Sequence, residues 1–448
     1  MTLTTIKRPL SLFAVALLMC AARYAGAQAG SLDPTFGDNG IVSLTAPRVT
    51  LNAVAIQSDG KIVLGGLGVV NDTVADTLVR LNTNGSLDTS FGSGGFAYFE
   101  NGFLGFFAIA IQPNGEIVAA GATSAFQGGV YTYFAQLARV KTNGTLDTSF
   151  GTGGFTTTSA VGFTPDFTAV ESLALALQTN GSILLASSYS NLMARFTSSG
   201  QLDTTFGTGG LVNLVNQGPN VSFAPTQIVV ESSGKILVAS GGVEPTPLVQ
   251  AGIIGRYNSN GSQDSTFASA GTTASVVSGS ALLLESDGKI AVAGSITGQV
   301  NAPPATNDVG FGVARYNSNG TPDTSFGTGG VAVANFGTSA PLSGAFALAI
   351  QSNGELVAGG AAAQGPFNLS FDSAFGLARF TASGALDTSF GTDGLVTTTL
   401  VSGSTNVYSY VTGLAIQSDG KIVAAGNTLV GQGFESGTGG YVARYLGQ

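Results

Sequence analysis

One six-residue pattern, Leu-Asp-x-(Ser/Thr)-Phe-Gly, returns seven times along a chain of 448 residues. Its aspartates are Asp33, Asp88, Asp147, Asp203, Asp264, Asp323 and Asp387, spaced by 55, 59, 56, 61, 59 and 64 residues. A period of this length marks a chain that builds one supersecondary unit repeatedly, so length alone does not set the number of domains. Two further signatures share the period. Arg80, Arg139, Arg195, Arg256, Arg315, Arg379 and Arg444 each sit in an apolar run. Gly60, Gly115, Gly181, Gly234, Gly288, Gly354 and Gly420 each punctuate a pair of apolar runs, as in Ala53–Gly65 and Leu414–Gly426. Some copies have drifted: Gln263 and Pro322 stand in place of the leucine, and Ala268 in place of a glycine.

Runs of β-branched, aromatic and alanine residues bounded by Asn-Gly, Asp-Gly or Ser-Gly predict strands joined by hairpins. No stretch keeps a helical period of apolar residues for three turns. Each unit reads as four antiparallel strands. In the first these are Val54–Gln57, Ile62–Gly65, Thr77–Leu81 and a fourth through the Leu-Asp-x-x-Phe-Gly segment and the apolar residues after it. The fold class expected is all-β, a seven-bladed β-propeller of four-stranded antiparallel blades.

The chain ends carry the closure. Six arginines precede an aspartate by eight residues: Arg80/Asp88, Arg139/Asp147, Arg195/Asp203, Arg256/Asp264, Arg315/Asp323 and Arg379/Asp387. Arg444 has no aspartate after it, and Asp33 has no arginine before it. The two orphans are complementary. Residues near Ser31–Leu44 are therefore expected to form the outermost strand of the sheet built by Val407–Leu446, closing the ring. An open solenoid gives no reason for this phase.

Gly85-Ser86-Leu87-Asp88-Thr89-Ser90-Phe91-Gly92 and Ile416-Gln417-Ser418-Asp419-Gly420-Lys421-Ile422 resemble the delta-60 repeat, a bacterial β-propeller repeat of unknown function. The resemblance covers nearly all of the chain beyond its first residues. It implies a propeller in an exported bacterial protein, and it implies no activity, cofactor or site.

The N-terminus reads as a signal peptide over residues 1–27. Lys7 and Arg8 precede an apolar run from Leu10 to Ala22, and Ala25-Gly26-Ala27 supplies the small-x-small cleavage pattern, with cleavage expected after Ala27. The run is too short to span a bilayer, which needs about 20 residues. Lipoprotein processing at Cys20 is the alternative, but Met19 is larger than that reaction prefers. Residues 28–448 would then form one domain, secreted, periplasmic or at the cell surface. Without Lys7, Arg8 and Arg23 the chain keeps 13 bases against 25 acids. That balance argues against nucleic acid, which requires a basic face.

Absences narrow the chemistry. The chain has no histidine, and its one cysteine, Cys20, lies in the leader. A histidine-based triad, His-ligated zinc, a thiolate nucleophile and a disulfide are all excluded from the domain. No cofactor or metal is expected. Asp38-Asn39-Gly40 resembles part of a calcium loop without its later acidic ligands, and reads as a turn. The repeated Arg and Asp are expected to hold each unit together across neighbouring strands. The motif phenylalanines, Phe36, Phe91, Phe150, Phe206, Phe267, Phe326 and Phe390, are expected to pack between sheets. Asn84 and Asn143 sit in glycosylation sequons that hairpin-turn preference explains better.

Function is assigned to one face. Short, nearly constant turns lie on one side of the units. The other side carries variable connections: Leu67–Asp76, Gly121–Tyr133, Gly241–Gly252, Ser295–Gly310, Gly359–Ala374 and Asn427–Gly440. Variation of this kind is where function sits on a repeat scaffold. The candidate binding residues are the acids there: Asp72, Asp76, Glu100, Asp166, Glu244, Asp308, Asp372 and Glu435. The expected function is non-catalytic binding or scaffolding, with a protein or glycan partner that such a face would select as cationic, and no membrane span. Two alternatives stay open. One is a carbohydrate-active hydrolase or lyase using loop carboxylates such as Asp166 with Glu171, or Asp72 with Asp76. The other is a structural or adhesive envelope protein.

Overall fold

Strands buried on both faces need apolar side chains at every position, not at every second one. The central strands of each repeat have that composition, and sheets stacked face to face follow from it. The computed structural model describes residues 28–100, 105–127, 130–163, 173–188, 190–214, 224–241, 252–275, 277–296, 310–337, 343–363, 372–403, 406–431 and 438–448. Among them every regular element is a strand. After β1 (Ile41–Leu44), a first antiparallel sheet runs in chain order through β2 (Val49–Ile56), β3 (Ile62–Val70), β4 (Thr73–Leu81) and β5 (Phe96–Phe99). The second holds β6 (Ala108–Ile111), β7 (Ile117–Gln127), β8 (Val130–Val140) and β9 (Phe155–Phe163). The third holds β10 (Leu173–Leu177), β11 (Ile183–Ser187), β12 (Leu192–Phe196) and β13 (Leu211–Asn213). The fourth holds β14 (Ala224–Val230), β15 (Ile236–Gly241), β16 (Gly252–Tyr257) and β17 (Thr272–Ser275). The fifth holds β18 (Ala281–Leu284), β19 (Ile290–Ile296), β20 (Gly310–Tyr316) and β21 (Val331–Ala334). A sixth set comprises β22 (Gly344–Ile350), β23 (Leu356–Ala363), β24 (Ser373–Phe380) and β25 (Leu395–Thr398). The last comprises β26 (Val407–Ile416), β27 (Ile422–Val430) and β28 (Gly439–Tyr445), with β1 as its outer strand. One parallel residue pair, Ser373 with Tyr408, joins these last two sets into a single eight-stranded sheet.

The N-terminal strand lies where the orphan pattern puts it. β1 pairs antiparallel with β28, from Ile41 opposite Ala443 to Leu44 opposite Gly440. Upstream, the Asp33 N–H donates to Arg444 O at 2.8 Å, and the Leu446 N–H donates to Ser31 O at 2.9 Å.

Buried apolar clusters fill the space between neighbouring sets. One of them gathers Phe36 and Leu44, Val423 and Val442 from the last set with Leu51, Leu64 and Val79 from the first. Polar groups tie the same seam. Asn427 accepts from the Leu51 N–H at 2.7 Å and donates back to Leu51 O at 2.7 Å, so one side chain continues the sheet edge across it. Thr412, at a bulge in β26, donates to Leu51 O at 3.0 Å. Asn52 and Thr226, at the corresponding bulges of β2 and β14, donate to Phe106 O and Gly279 O of the next set. A bulge turns one extra side chain out of the pleat, and here that side chain reaches the neighbouring inner strand.

Two local readings of the sequence are corrected. The Leu-Asp-x-x-Phe-Gly segment is a turn and not part of the fourth strand. Gly92, Gly94 and Gly95 have φ of 53°, 63° and 102°, which breaks the extended chain until Phe96. Nor is Leu67–Asp76 a loop. β3 and β4 continue to Val70 and Thr73, joined by Asn71-Asp72 with φ of 49° and 61°. Two consecutive left-handed residues make the tight turn that matches strand twist, and Asn and Asp tolerate it best after glycine.

Candidate functional site

The repeated arginine is the centre of a cluster that recurs in every set. In each copy Nε donates to the motif aspartate Oδ2, over 2.7–2.9 Å. The other carboxylate oxygen accepts both the N–H and the hydroxyl of the Ser or Thr two residues on; for Asp88 these are Ser90 N at 3.1 Å and Ser90 Oγ at 2.7 Å. The guanidinium lies 4.4–5.0 Å from the centre of the motif phenylalanine ring. Both electrostatic partners of the cation, carboxylate and ring face, are thus supplied within one turn. Lys61, Lys235, Lys289 and Lys421 add a second cation to Asp88, Asp264, Asp323 and Asp33.

Sequence reasoning stopped at the pair and missed its reach. Arg80 Nη1 donates to Thr142 O, Arg139 to Ser198 O, Arg195 to Ser259 O, Arg256 to Ser318 O and Arg315 to Ala382 O, at 2.5–2.7 Å. Arg379 donates to Gly447 O and Arg444 to Thr83 O. Each acceptor belongs to the next set, in its turn for all but Gly447, which follows β28, and the Arg444 bond runs from the last set to the first. The only advance signal was the constant residue type: a lysine satisfies a lone carboxylate, whereas a planar fork serves three partners at once. Gly85 in the receiving turn shows how closely the sets approach. Its φ is 87°, and a methyl built on it would stand 2.8 Å from Gly37 N.

This network pairs the repeated Arg, Asp and Ser/Thr side chains of the constant face with one another. The carboxylates it holds are poor proton acceptors. Burial pushes the Asp33 carboxyl up, but the Thr35 hydroxyl and N–H, Arg444 and Lys421 together bring it down to about 2. Asp88, Asp264 and Asp323 are held lower still by the same opposition. A carboxylate depressed on folding contributes stability that is present above its unfolded value and lost as pH falls through the folded one. Asp33 alone accounts for about 2 kcal/mol by this route. Thermal unfolding is expected to show a steep loss of melting temperature below about pH 4. A melting temperature that stays flat down to about pH 2 would contradict the network.

The acidic candidates do not form a described cluster. Asp166, Glu244, Asp308 and Glu435 lie outside the described residues, as does Glu171. Asp72 is exposed at the tip of the β3–β4 hairpin and Glu100 is exposed just after β5. Asp372 is half-buried, and its Oδ1 accepts from the Val407 N–H at 2.7 Å, tying the sixth set to the seventh. Asp76 departs from the surface reading altogether: it lies in β4 with 0 % exposure. The hairpin extends past it, so its side chain is enclosed by the second sheet. With no exposed surface, Asp76 cannot join Asp72 in a solvent-facing acid–base pair. Asp38-Asn39-Gly40 is a turn, with Asn39 donating to Asp38 Oδ1 at 2.9 Å. Asn84 and Asn143 each accept from the N–H two residues on, closing hairpin turns.

The family model described as "Domain of unknown function (DUF5122) beta-propeller" matches residues 57–91, 112–150, 178–206, 285–326, 351–390 and 417–446. Five of the matched segments run from the first tight turn of a unit to its motif phenylalanine, and the last ends at Leu446, just after Arg444. Six segments of the chain are thus similar to the repeat of a β-propeller family without an assigned function. No curated protein matches the chain. Among solved structures, virginiamycin B lyase from Staphylococcus aureus with quinupristin is similar at 12 % identity and a TM-score of 0.48, over 90 % of this chain and 98 % of that one. Drosophila Plexin A in complex with Semaphorin 1b is similar at 10 % and 0.43, over 94 % and 88 %. An α-L-arabinofuranosidase from Fusarium graminearum is similar at 8 % and 0.39, over 93 % and 96 %. Identities this low transfer neither a substrate nor a site.

Proposed function

We propose that this chain is an exported, non-catalytic binding or scaffold β-propeller of seven blades, its ring closed by the N-terminal strand, which presents variable connections on one face to a partner. Closure is supported by the β1–β28 register, the Asn427–Leu51 tie and the circuit of arginine bonds. The observation that carries the functional reading is the division of labour between the two faces. On the constant face the repeated Arg, Asp, Ser/Thr and turn carbonyls are spent on one another. On the other face the connections differ from unit to unit, from the two residues Asn71-Asp72 to the segment 297–309.

The acids on that face would attract a basic partner, by a field that weakens with salt. An octalysine peptide is a suitable probe. Binding is expected at low ionic strength, and a rise to about 0.3 M salt should remove most of it, because the Debye length there is under about 8 Å. Neutralising Asp72, Glu100, Glu244 and Asp308 together should abolish peptide binding and leave the melting temperature nearly unchanged. Binding that persists in this variant, or that is lost on altering Lys141 and the constant turns, would overturn the assignment of the working face.

A further inference from the structure

The fourth residue before the repeated arginine is Asp76 in the first unit. The same position holds Ala135, Asn191, Gly252, Phe311, Phe375 and Gly440 in the others. A carboxyl is therefore not what the fold requires there, and the other six units serve as internal controls. Asp76 is fully buried, and only one of its oxygens is used. Oδ1 accepts from the Gly105 N–H at 2.9 Å, while Oδ2 is enclosed without a hydrogen-bond partner among the described residues. The bond to Gly105 crosses the seam between the first two units, because Gly105 leads into β6.

The surroundings offer the stranded oxygen no cation. Asp76 stands opposite Leu67 of β3 and Phe99 of β5. Gly121 of β7 lies over it: a methyl built on Gly121 would be 3.2 Å from Asp76 Oδ2, 3.1 Å from Gly105 O and 3.2 Å from the Phe106 ring. None of these residues is charged. On its own strand Arg80 is committed to Asp88, and the nearby acids Asp72 and Glu100 are exposed. Two acceptor oxygens, Asp76 Oδ2 and Gly105 O, thus flank one notch, and Oδ2 has no hydrogen-bond partner among the described residues. A proton on Oδ2 supplies a donor.

We propose that Asp76 is a protonation switch in the seam between the first two units: neutral, it holds the segment entering β6 against β4; ionised, its stranded oxygen weakens that seam and loosens the adjoining β3–β4 hairpin. The same burial pushes the carboxyl up to about 7, against the lowering effect of the Gly105 N–H. The sign is opposite to that of the motif aspartates. An acid raised on folding costs nothing while both states are protonated. Its penalty grows as pH rises from the unfolded value to the folded one and is constant above. The switch concerns the seam itself and holds whatever the variable face binds.

Asp76→Asn tests it, since an amide keeps the acceptor for Gly105 and adds a permanent donor. Relative to wild type, the variant should melt within about a degree at about pH 4.5 and several degrees higher at about pH 8.5. In wild type, the hydrogen-exchange protection factors of the Gly105 and Phe106 amides should fall over the same range, and in the variant they should not. Parallel pH profiles for the two proteins would overturn the proposal. If the variant fails to fold, the wild-type carboxyl decides by carbon-13 titration: a midpoint above about 6 supports the switch, and one near the ordinary value of about 4 overturns it.

Discussion

Arg379→Met lowers folding stability by roughly 3–5 kcal/mol, the cost of removing one partner from a buried ion pair. The substitution keeps the side-chain volume and deletes every polar contact. Asp387 then loses Nε at 2.7 Å and keeps only Ser389. Gly447 O in the next set loses its donor, and the Phe390 ring loses the cation above it. Arg80→Met should cost less, because Lys61 still reaches Asp88 at 2.9 Å. No lysine reaches Asp387 among the described residues. The order of the two variants in chemical denaturation is therefore itself a result. Arg379→Lys should recover little, since an ammonium cannot reach the carboxylate, Gly447 O and the Ser389 hydroxyl from one position. Equal, small losses in all three variants would show that the pairs are surface pairs, which contribute about 0–1 kcal/mol.

Much of this is legible in the amino-acid sequence. Period, turn glycines and alternating apolar runs are local properties, and they specify strands and hairpins directly. The orphan Asp33 and Arg444 carried a non-local pairing, because a repeat supplies its own template: six intact Arg–Asp pairs say what the seventh must be. Three things stayed hidden. The arginine reaching Thr142 or Thr83 is a contact between sets, and spacing within a unit carries no information about the unit beside it. The burial of Asp76 depends on how far the β3–β4 hairpin extends and on what the second sheet lays over it. That depends on the paired valines Val69 and Val74 and a left-handed Asn-Asp turn. The motif turn was misread as strand because Leu, Phe and the apolar residues after them have strand composition. The left-handed glycines overrule it.

The candidate site was legible only as a face. Variable length marked which side of the units differs, but the acids there come from single loops and share no register. Nothing in a one-dimensional pattern brings Asp72 near Asp308. The constant face gave the opposite case, where a sevenfold register identified residues that pair with one another in every unit.

The central claim is that the chain closes on itself through β1. Truncation tests it most directly, by comparing a chain starting at residue 46 with one starting at residue 28. Removing 28–45 uncovers β28, strips Phe36 and Leu44 from the last seam and leaves Arg444 without Asp33. Each buried side chain contributes about 1.5–3 kcal/mol, and the broken pair roughly 3–5 kcal/mol. The sum is comparable with the whole stability of a typical domain, about 5–15 kcal/mol. The truncated chain is expected to be unfolded at room temperature or to melt more than about 10 °C lower. Replacing the segment 297–309 by a two-residue turn should shift the melting temperature by only a few degrees. A truncated chain that melts with the full-length protein would contradict closure by the N-terminal strand.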